Sequence, residues 1–121
     1  MKRDEFDAYC KSLKATTHVI QWGGSSVWKV GGKIFAICSW WGKLNRDCIS
    51  FKCADLSFQI LTELPGIAPA PYMARAKWVQ LQTDDALSDD DIKSYLSDAH
   101  AIIAAKLTKK LQRELGLLPE A

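Results

Sequence analysis

Gly31-Gly32 separates two runs of strand-forming residues, Ser26–Val30 and Lys33–Cys38. A two-residue glycine turn between such runs makes a β-hairpin, and that constrains the rest of the chain most. The turn also sets a register. Counting outward, Val30 faces Lys33, Trp28 faces Phe35 and Ser26 faces Ile37, all on one side of the hairpin. Val27, Lys29, Ile34, Ala36 and Cys38 take the other side. The Trp28–Phe35 side carries more apolar bulk and is expected to meet the core, with partial cover on the second side. At 121 residues the chain has length for one core, so the hairpin belongs to a single domain over 1–121.

The remaining elements follow from periodicity. Phe6, Tyr9, Cys10 and Leu13 fall at i, i+3, i+4 and i+7 and predict a helix over Asp4–Lys14. A polar connection then leads to Gln21-Trp22-Gly23-Gly24. Ser39–Arg46 reads as a loop or long hairpin tip. Asp47–Cys53 alternates as a half-buried strand, with Ile49, Phe51 and Cys53 inward. Asp55 is placed to cap a short helix reaching Glu63, with Leu56, Ile60 and Leu64 inward. Pro65, Pro69 and Pro71 stiffen the connection to a strand over Lys77–Gln82. In that strand Val79 and Leu81 point one way, and Trp78, Gln80 and Gln82 the other. Ser88 and Asp91 form a capping box. It opens a long apolar stripe through Ile92, Leu96, Ala99, Ile103, Leu107 and Leu111, stopping at Gly116. An unbroken helix of that length would run about 40 Å, so a bend is expected near Thr108. Adjacent strands with tight turns and helices at both ends give an α+β fold: an antiparallel β-sheet with helices packed on one face.

Composition excludes several classes. The chain is 48% hydrophobic and 25% charged, which is globular rather than disordered or fibrous. No apolar run approaches the roughly 20 residues that span a bilayer. No apolar segment follows Met1-Lys2-Arg3, so the expected compartment is the cytoplasm, with no membrane partner. Cys10, Cys38, Cys48 and Cys53 show no CxxC pairing, and no zinc site is expected. Net charge is only +2, yet it is unevenly spread. Lys29 to Lys77 holds seven bases against three acids, Asp84 to Asp98 six acids against one base, and Lys106 to Arg113 four bases and no acid. Such asymmetry either steers an anionic ligand or complements a helix dipole.

No nucleophile elbow, phosphate loop or H-E-x-x-H occurs, so no enzymatic motif and no cofactor site is read. The informative segment is Trp40-Trp41-Gly42-Lys43-Leu44-Asn45-Arg46. Adjacent strand residues point to opposite faces, so one indole is expected to be exposed beside Lys43 and Arg46. Aromatic planes next to cations are what bases and phosphates bind. Trp78 lies near Arg75 and Lys77, either covered or lining a groove held by the proline-stiffened Pro71–Arg75 segment. Lys106, Lys109, Lys110 and Arg113 are spaced to share one helix face, which could clamp phosphates. His100 borders the apolar stripe and reads as a core-edge histidine. His18, in a polar connection, carries no signal.

Taken in order, several segments resemble the bacterial MmcQ/YjbR family. They are Tyr9-Cys10-x-x-Leu13, Trp22-Gly23, Val27-Trp28-Lys29-Val30-Gly31-Gly32-Lys33-Ile34-Phe35-Ala36, Phe51-Lys52-Cys53, Pro71-Tyr72-Met73, Lys77-Trp78-Val79 and Ala105-Lys106-Leu107-x-Lys109-Lys110. The resemblance implies a frataxin-like (CyaY-like) α+β fold and a proposed double-wing mode of DNA binding. It marks Lys29, Lys33, Lys52, Tyr72, Lys77, Trp78, Lys106 and Lys110 as candidate contacts. The expectation is therefore a non-enzymatic, monomeric DNA-binding protein. Its contacts would come from those residues together with Trp40, Trp41, Lys43, Arg46, Arg75 and Lys109. The alternative is a small-ligand or protein-binding module using a groove around Trp78 and Tyr72.

Overall fold

The Gly31-Gly32 turn closes the hairpin that the sequence predicts, joining β2 (Ser25–Val30) to β3 (Lys33–Trp41) in a computed structural model that describes residues 1–118. Both glycines have positive φ, +58° and +81°, the region a primed two-residue turn needs. The predicted register holds only next to the turn. Val30 pairs with Lys33 and Lys29 with Ile34, and then the ladder slips so that Trp28 pairs with Ala36. Phe35 is the extra residue of a β-bulge. The predicted Trp28–Phe35 pair does not form, and Phe35 and Ala36 both join the main core.

Four more strands complete the sheet. They are β1 (Thr16–Gln21), β4 (Arg46–Lys52), β5 (Ile67–Pro69) and β6 (Trp78–Leu81). The order is β1-β2-β3-β4-β6-β5, with every neighbouring pair antiparallel. Three features differ from the sequence reading, the first being that the proline-stiffened connection contains strand β5, paired with β6. The polar connection before Trp22 is strand β1, whose Thr, Val and Ile residues suit an edge strand that is largely solvated. Ser39, Trp40 and Trp41 belong to β3, paired with Cys48, Asp47 and Arg46, so the loop shrinks to Gly42–Asn45.

The helices are α1 (Arg3–Ser12), α2 (Asp55–Leu61), α3 (Asp89–Ala104) and α4 (Lys109–Glu114). Side chains from α1, α2 and α3 meet one face of the sheet. Phe6, Cys10, Leu61, Ile92, Leu96, Ala99 and Ile103 pack there against Trp28, Val30, Phe35, Phe51, Val79 and Leu81. This is the expected α+β arrangement. Ser88 caps α3 by accepting from the Asp91 amide at 3.1 Å, as its position predicts. The bend expected near Thr108 is a full break. Thr108 accepts from the Leu111 amide at 3.1 Å and caps α4.

The inward face of α2 is not the one predicted. Leu61 is buried and Phe58 packs beside it, while Leu56, Ile60 and Leu64 are 67%, 52% and 40% exposed. Asp55 is the first helical residue rather than the cap. Ala54 takes the cap position, and the helix rolls to bury the Phe58–Leu61 pair at i, i+3. Ile60→Gln should therefore change the urea unfolding free energy by no more than about 0.5 kcal/mol. A loss of several kcal/mol would mean that Ile60 is inward after all.

The opposite sheet face has a smaller cluster of Val27, Ile37, Ala70 and Trp78, covered by Met73 from the Ala70–Lys77 connection. Beyond that cover the face is open, bordered by Trp22, Trp41 and Tyr72.

Candidate functional site

β3 is nine residues long, so at about 3.3 Å per residue its two turns lie roughly 30 Å apart. Gly31-Gly32 is at one end of the sheet, and the Gly42–Asn45 turn is at the other, beside the β1–β2 turn at Trp22-Gly23-Gly24. This topology divides the candidate contacts into two groups.

At the Gly31-Gly32 end lie Lys29, Lys33, Lys52, Lys77 and Lys106. Lys33 and Lys106 are exposed and Lys29 is half-buried. Lys52 is only 8% exposed, its Nζ donating to the Ala76 carbonyl. The Lys77 ammonium sits over the Phe58 ring, 5.1 Å from its centre. Trp78 is 4% exposed, sealed in the smaller cluster, so it presents no ring to a ligand. The shared basic helix face also fails. Lys106 lies in the turn after α3, while Lys109 and Lys110 open α4. These two exposed lysines therefore stand at a helix start, where the dipole disfavours cations, and dipole complementation does not account for them.

At the other end lie Trp40, Trp41, Lys43 and Arg46. Arg46 is committed to Asp84, 2.5 Å from its carboxylate oxygen. Lys43 is exposed in the turn. Trp40 is 61% exposed and Trp41 half-buried. Tyr72 is fully exposed, and Arg75 is exposed further along the same connection. Tyr72 has φ +67° and Trp22 φ +51°, so both bulky aromatics sit on tight left-handed corners. Trp22, 65% exposed, completes the group. The sequence reading used Trp22 only as a family landmark. With β1 taken for a loop, nothing placed it beside Trp40.

These rings surround a cleft of about 540 Å³ on the open sheet face. Trp22, Trp40, Trp41 and Tyr72 form its walls, and the Ala70–Met73 segment closes one side. Ile37, Ser25, Ser39 and Ser50 lie at its base. Ser39 donates to Ser25 Oγ at 2.6 Å, which leaves the Ser25 proton free to reach a ligand. Apart from the Tyr72 phenol, the lining contains no ionisable side chain. A second depression of about 550 Å³, between the start of α1 and the ends of β3 and β4, is highly charged. Several of its groups are engaged internally. Arg3 donates to the Gly24 carbonyl, Arg46 pairs with Asp84, and Asp7 holds Ser26 and Trp28.

One Ser/His/Asp set needs a chemical judgement. His18 Nε2 meets Ser26 Oγ at 2.7 Å, and the Ser26 hydroxyl donates to Asp7. In a nucleophilic triad the hydroxyl proton goes to the imidazole. Here it goes to the carboxylate, and Ser26 is completely buried, so the set ties α1 to β1 and β2. The four thiols are free and buried, and burial raises their pKa values, so none is a thiolate near neutrality. Among the described residues, no group of three or more His, Cys, Asp or Glu side chains gathers to hold a metal. Among the same residues no helix is long and apolar enough to cross a membrane.

Two solved structures share this architecture. A Deinococcus radiodurans protein with a DUF419 domain superposes with a TM-score of 0.83 at 20% identity, covering 99% of this chain and 91% of its own. A Pseudomonas syringae protein superposes with a TM-score of 0.71 at 22% identity, covering 85% and 99%. At such identities the likeness is one of fold. No curated protein matches the chain. The YjbR family model matches residues 11–102, from the end of α1 to the last turn of α3 and so across all six strands, and the chain belongs to the YjbR family.

Proposed function

We propose that this protein is a non-catalytic binding module whose ligand is an uncharged molecule with a flat ring face, taken up in the cleft of Trp22, Trp40, Trp41 and Tyr72. The observation that carries this reading is the gathering of exposed aromatic rings around a cleft without charged lining. Contiguous exposed apolar surface marks a binding site far more often than an accident of folding. The volume falls within the ~300–1,000 Å³ of small-molecule sites. The serines at the base offer donors and acceptors to the polar edge of such a ring. Of the groove expected around Tyr72 and Trp78, Tyr72 remains a wall. Trp78 lies beneath, packed with Ala70 and Met73.

A nucleic-acid reading is supported in one form by Lys43, which adjoins the ring set through Gly42. Unpaired bases would stack on the indoles, each worth about 1–3 kcal/mol. A duplex held by two wings at once would instead have to reach two turns at opposite ends of the sheet.

Tryptophan fluorescence separates these readings. Neutral ring ligands, such as nucleosides and disaccharides, should shift the emission with little dependence on salt. Trp22→Ala and Trp40→Ala should weaken that binding about tenfold, the loss of one ring contact, and leave the unfolding midpoint unchanged. Binding confined to single-stranded oligonucleotides, with affinity falling steeply between 50 and 200 mM salt, would favour stacked bases. Tight duplex binding that depends on Lys33 and Lys43 together would favour the two-wing mode. If no ligand alters the emission and both tryptophan variants behave as wild type, the cleft reading fails.

A further inference from the structure

The cleft is polar along one side only. Apart from the Tyr72 phenol, its polar side chains are Ser25, Ser39 and Ser50, all at the base. Strand register gathers them there. Ser50 pairs with Ile37 across β3 and β4, and Ser39, two residues beyond Ile37, shares that face. A saccharide carries hydroxyls around its whole ring and would leave most of them against apolar walls. A flat heterocycle suits the cleft better, because its faces are apolar and its polar atoms lie at the edge.

The base also has a defined pattern. Ser39 donates to Ser25 Oγ at 2.6 Å, so Ser25 keeps a free proton and Ser39 keeps free lone pairs. Reversing that bond exchanges the two roles and keeps the pattern. A donor and an acceptor therefore stand side by side, and their complement is an acceptor beside a donor. A ring lactam has that edge. Its C=O and N–H project the same way, with O and N about 2.2 Å apart by standard bond lengths. The polar rows under the cleft also hold more hydrogen-bonding groups than they satisfy internally. Gln80 pairs directly with Ser50, which puts it beside the base on the same sheet face. Gln80 is buried, and Gln82 Nε2 donates to its Oε1 at 3.1 Å. Among the described residues the Gln80 Nε2 meets no acceptor.

We infer that the cleft selects a planar heterocycle with a lactam edge. Ser25 donates to the ring carbonyl, the ring N–H donates to Ser39, and the aromatic walls cover the ring faces. That selection rests on the cleft being the binding site proposed above, and it names the edge the ligand must carry.

Fluorescence titration with inosine and with purine riboside tests it. The two share one ring system and one sugar, and purine riboside lacks the carbonyl and the N–H. Inosine should bind at least about tenfold more tightly, the effect of two hydrogen bonds at a partly solvated base. 1-Methylinosine, with its N–H blocked, should lose most of that advantage. Ser25→Ala combined with Ser39→Ala should bring inosine and purine riboside level. Ser39→Ala alone, at a half-buried position, should cut their ratio about threefold or more, and it keeps the test decisive if the double variant does not fold. Trp22→Ala should weaken both ligands and keep their ratio. Thymidine oligonucleotides that bind more tightly than thymidine would support the same edge, presented by a strand. Equal affinities for inosine and purine riboside, both still sensitive to Trp22→Ala, overturn the lactam selection and leave the cleft as the binding site. Tighter binding of disaccharides does the same. No change of emission with any of these ligands overturns both.

Discussion

Raising the pH from 9 to 11 should remove about 4 kcal/mol of folding stability, a large share of the usual total of about 5–15 kcal/mol. The cause is a set of buried thiols. Cys38 and Cys53 are 1% and 2% exposed. Burial pushes Cys38 up to about 12 and Cys53 up to about 11, from an ordinary value of 9.0. Asp47 and Asp7 reinforce the rise at Cys38, and Asp55 reinforces it at Cys53. Cys10 and Cys48 shift in the same direction. Above pH 9 the unfolded chain releases these protons while the folded chain keeps them, so the folded state binds more protons and rising pH favours unfolding. The stability is fully present below pH 9 and drains away as pH climbs through the folded-state values. A thiol ionised only in the unfolded chain contributes about 1.4 kcal/mol per pH unit; because the unfolded thiols are half ionised at pH 9 and folded Cys53 is half ionised at pH 11, the two together give about 4 kcal/mol. Urea midpoints at pH 8, 9, 10 and 11 should be level at first and then fall steeply. Cys38→Ala should make the fall shallower. A disulfide reagent at pH 8 should label the thiols only as fast as the chain opens. Level midpoints up to pH 11, or labelling of the folded protein within seconds, would show that these thiols are not enclosed.

The elements legible in the sequence were those with a local cause. Two glycines demanded a turn, Ser88 and Asp91 demanded a helix start, and the alternation of Ile49, Phe51 and Cys53 demanded a strand. What was illegible depended on distant partners. No local signal in Phe35 reveals a bulge; it arises because both Phe35 and Ala36 gain by entering the core under α3. The roll of α2 has the same origin. Leu56, Ile60 and Leu64 make the tidier stripe, but a phenylalanine ring and Leu61 bury more surface against the sheet. β1 was hidden because an edge strand, wet on much of its surface, has the composition of a loop.

The site followed the same division. Exposure of one indole of the Trp40-Trp41 pair was legible from strand alternation, and Trp40 is the exposed one, although both residues line the cleft where β3 ends. The partners of the pair were not. Trp22 meets it only because β1 and β2 turn at the end of the sheet where β3 and β4 also turn. The lysines suffered the opposite error. Positions that look like one cationic set in a linear chain are parted by about 30 Å once β3 is extended between them. Counting basic residues measures net charge, whereas recognition depends on where the strands carry them.

Asp7→Ala should cost about 3 kcal/mol, although Asp7 sits on a helix with the composition of a solvated face. Its Oδ1 accepts from the Trp28 indole N–H at 2.9 Å and also from the Ser26 hydroxyl. Ser26 in turn meets His18 Nε2, and the His18 ring stacks on Trp28 with centroids 4.5 Å apart. Ser26 is completely buried and Trp28 is 5% exposed, so neither donor can turn to bulk water when the carboxylate is removed. Hydrogen bonds to a charged acceptor are worth about 1.5–3 kcal/mol each, and an orphaned buried donor adds its desolvation penalty. Because both bonds share one oxygen, the total should fall short of their sum. Asp7→Asn keeps a carbonyl oxygen and should cost about half as much. Trp28→Phe removes one donor, so a double-mutant cycle with Asp7→Ala should show coupling of at least about 1 kcal/mol in urea unfolding. The network clamps α1 to β1 and β2, so Asp7→Ala should also speed amide exchange in α1 and β1 before it affects β3 and β4. A destabilisation below about 0.5 kcal/mol, with exchange in α1 unchanged, would mean that the carboxylate faces solvent and that helix packing alone holds α1 on the sheet.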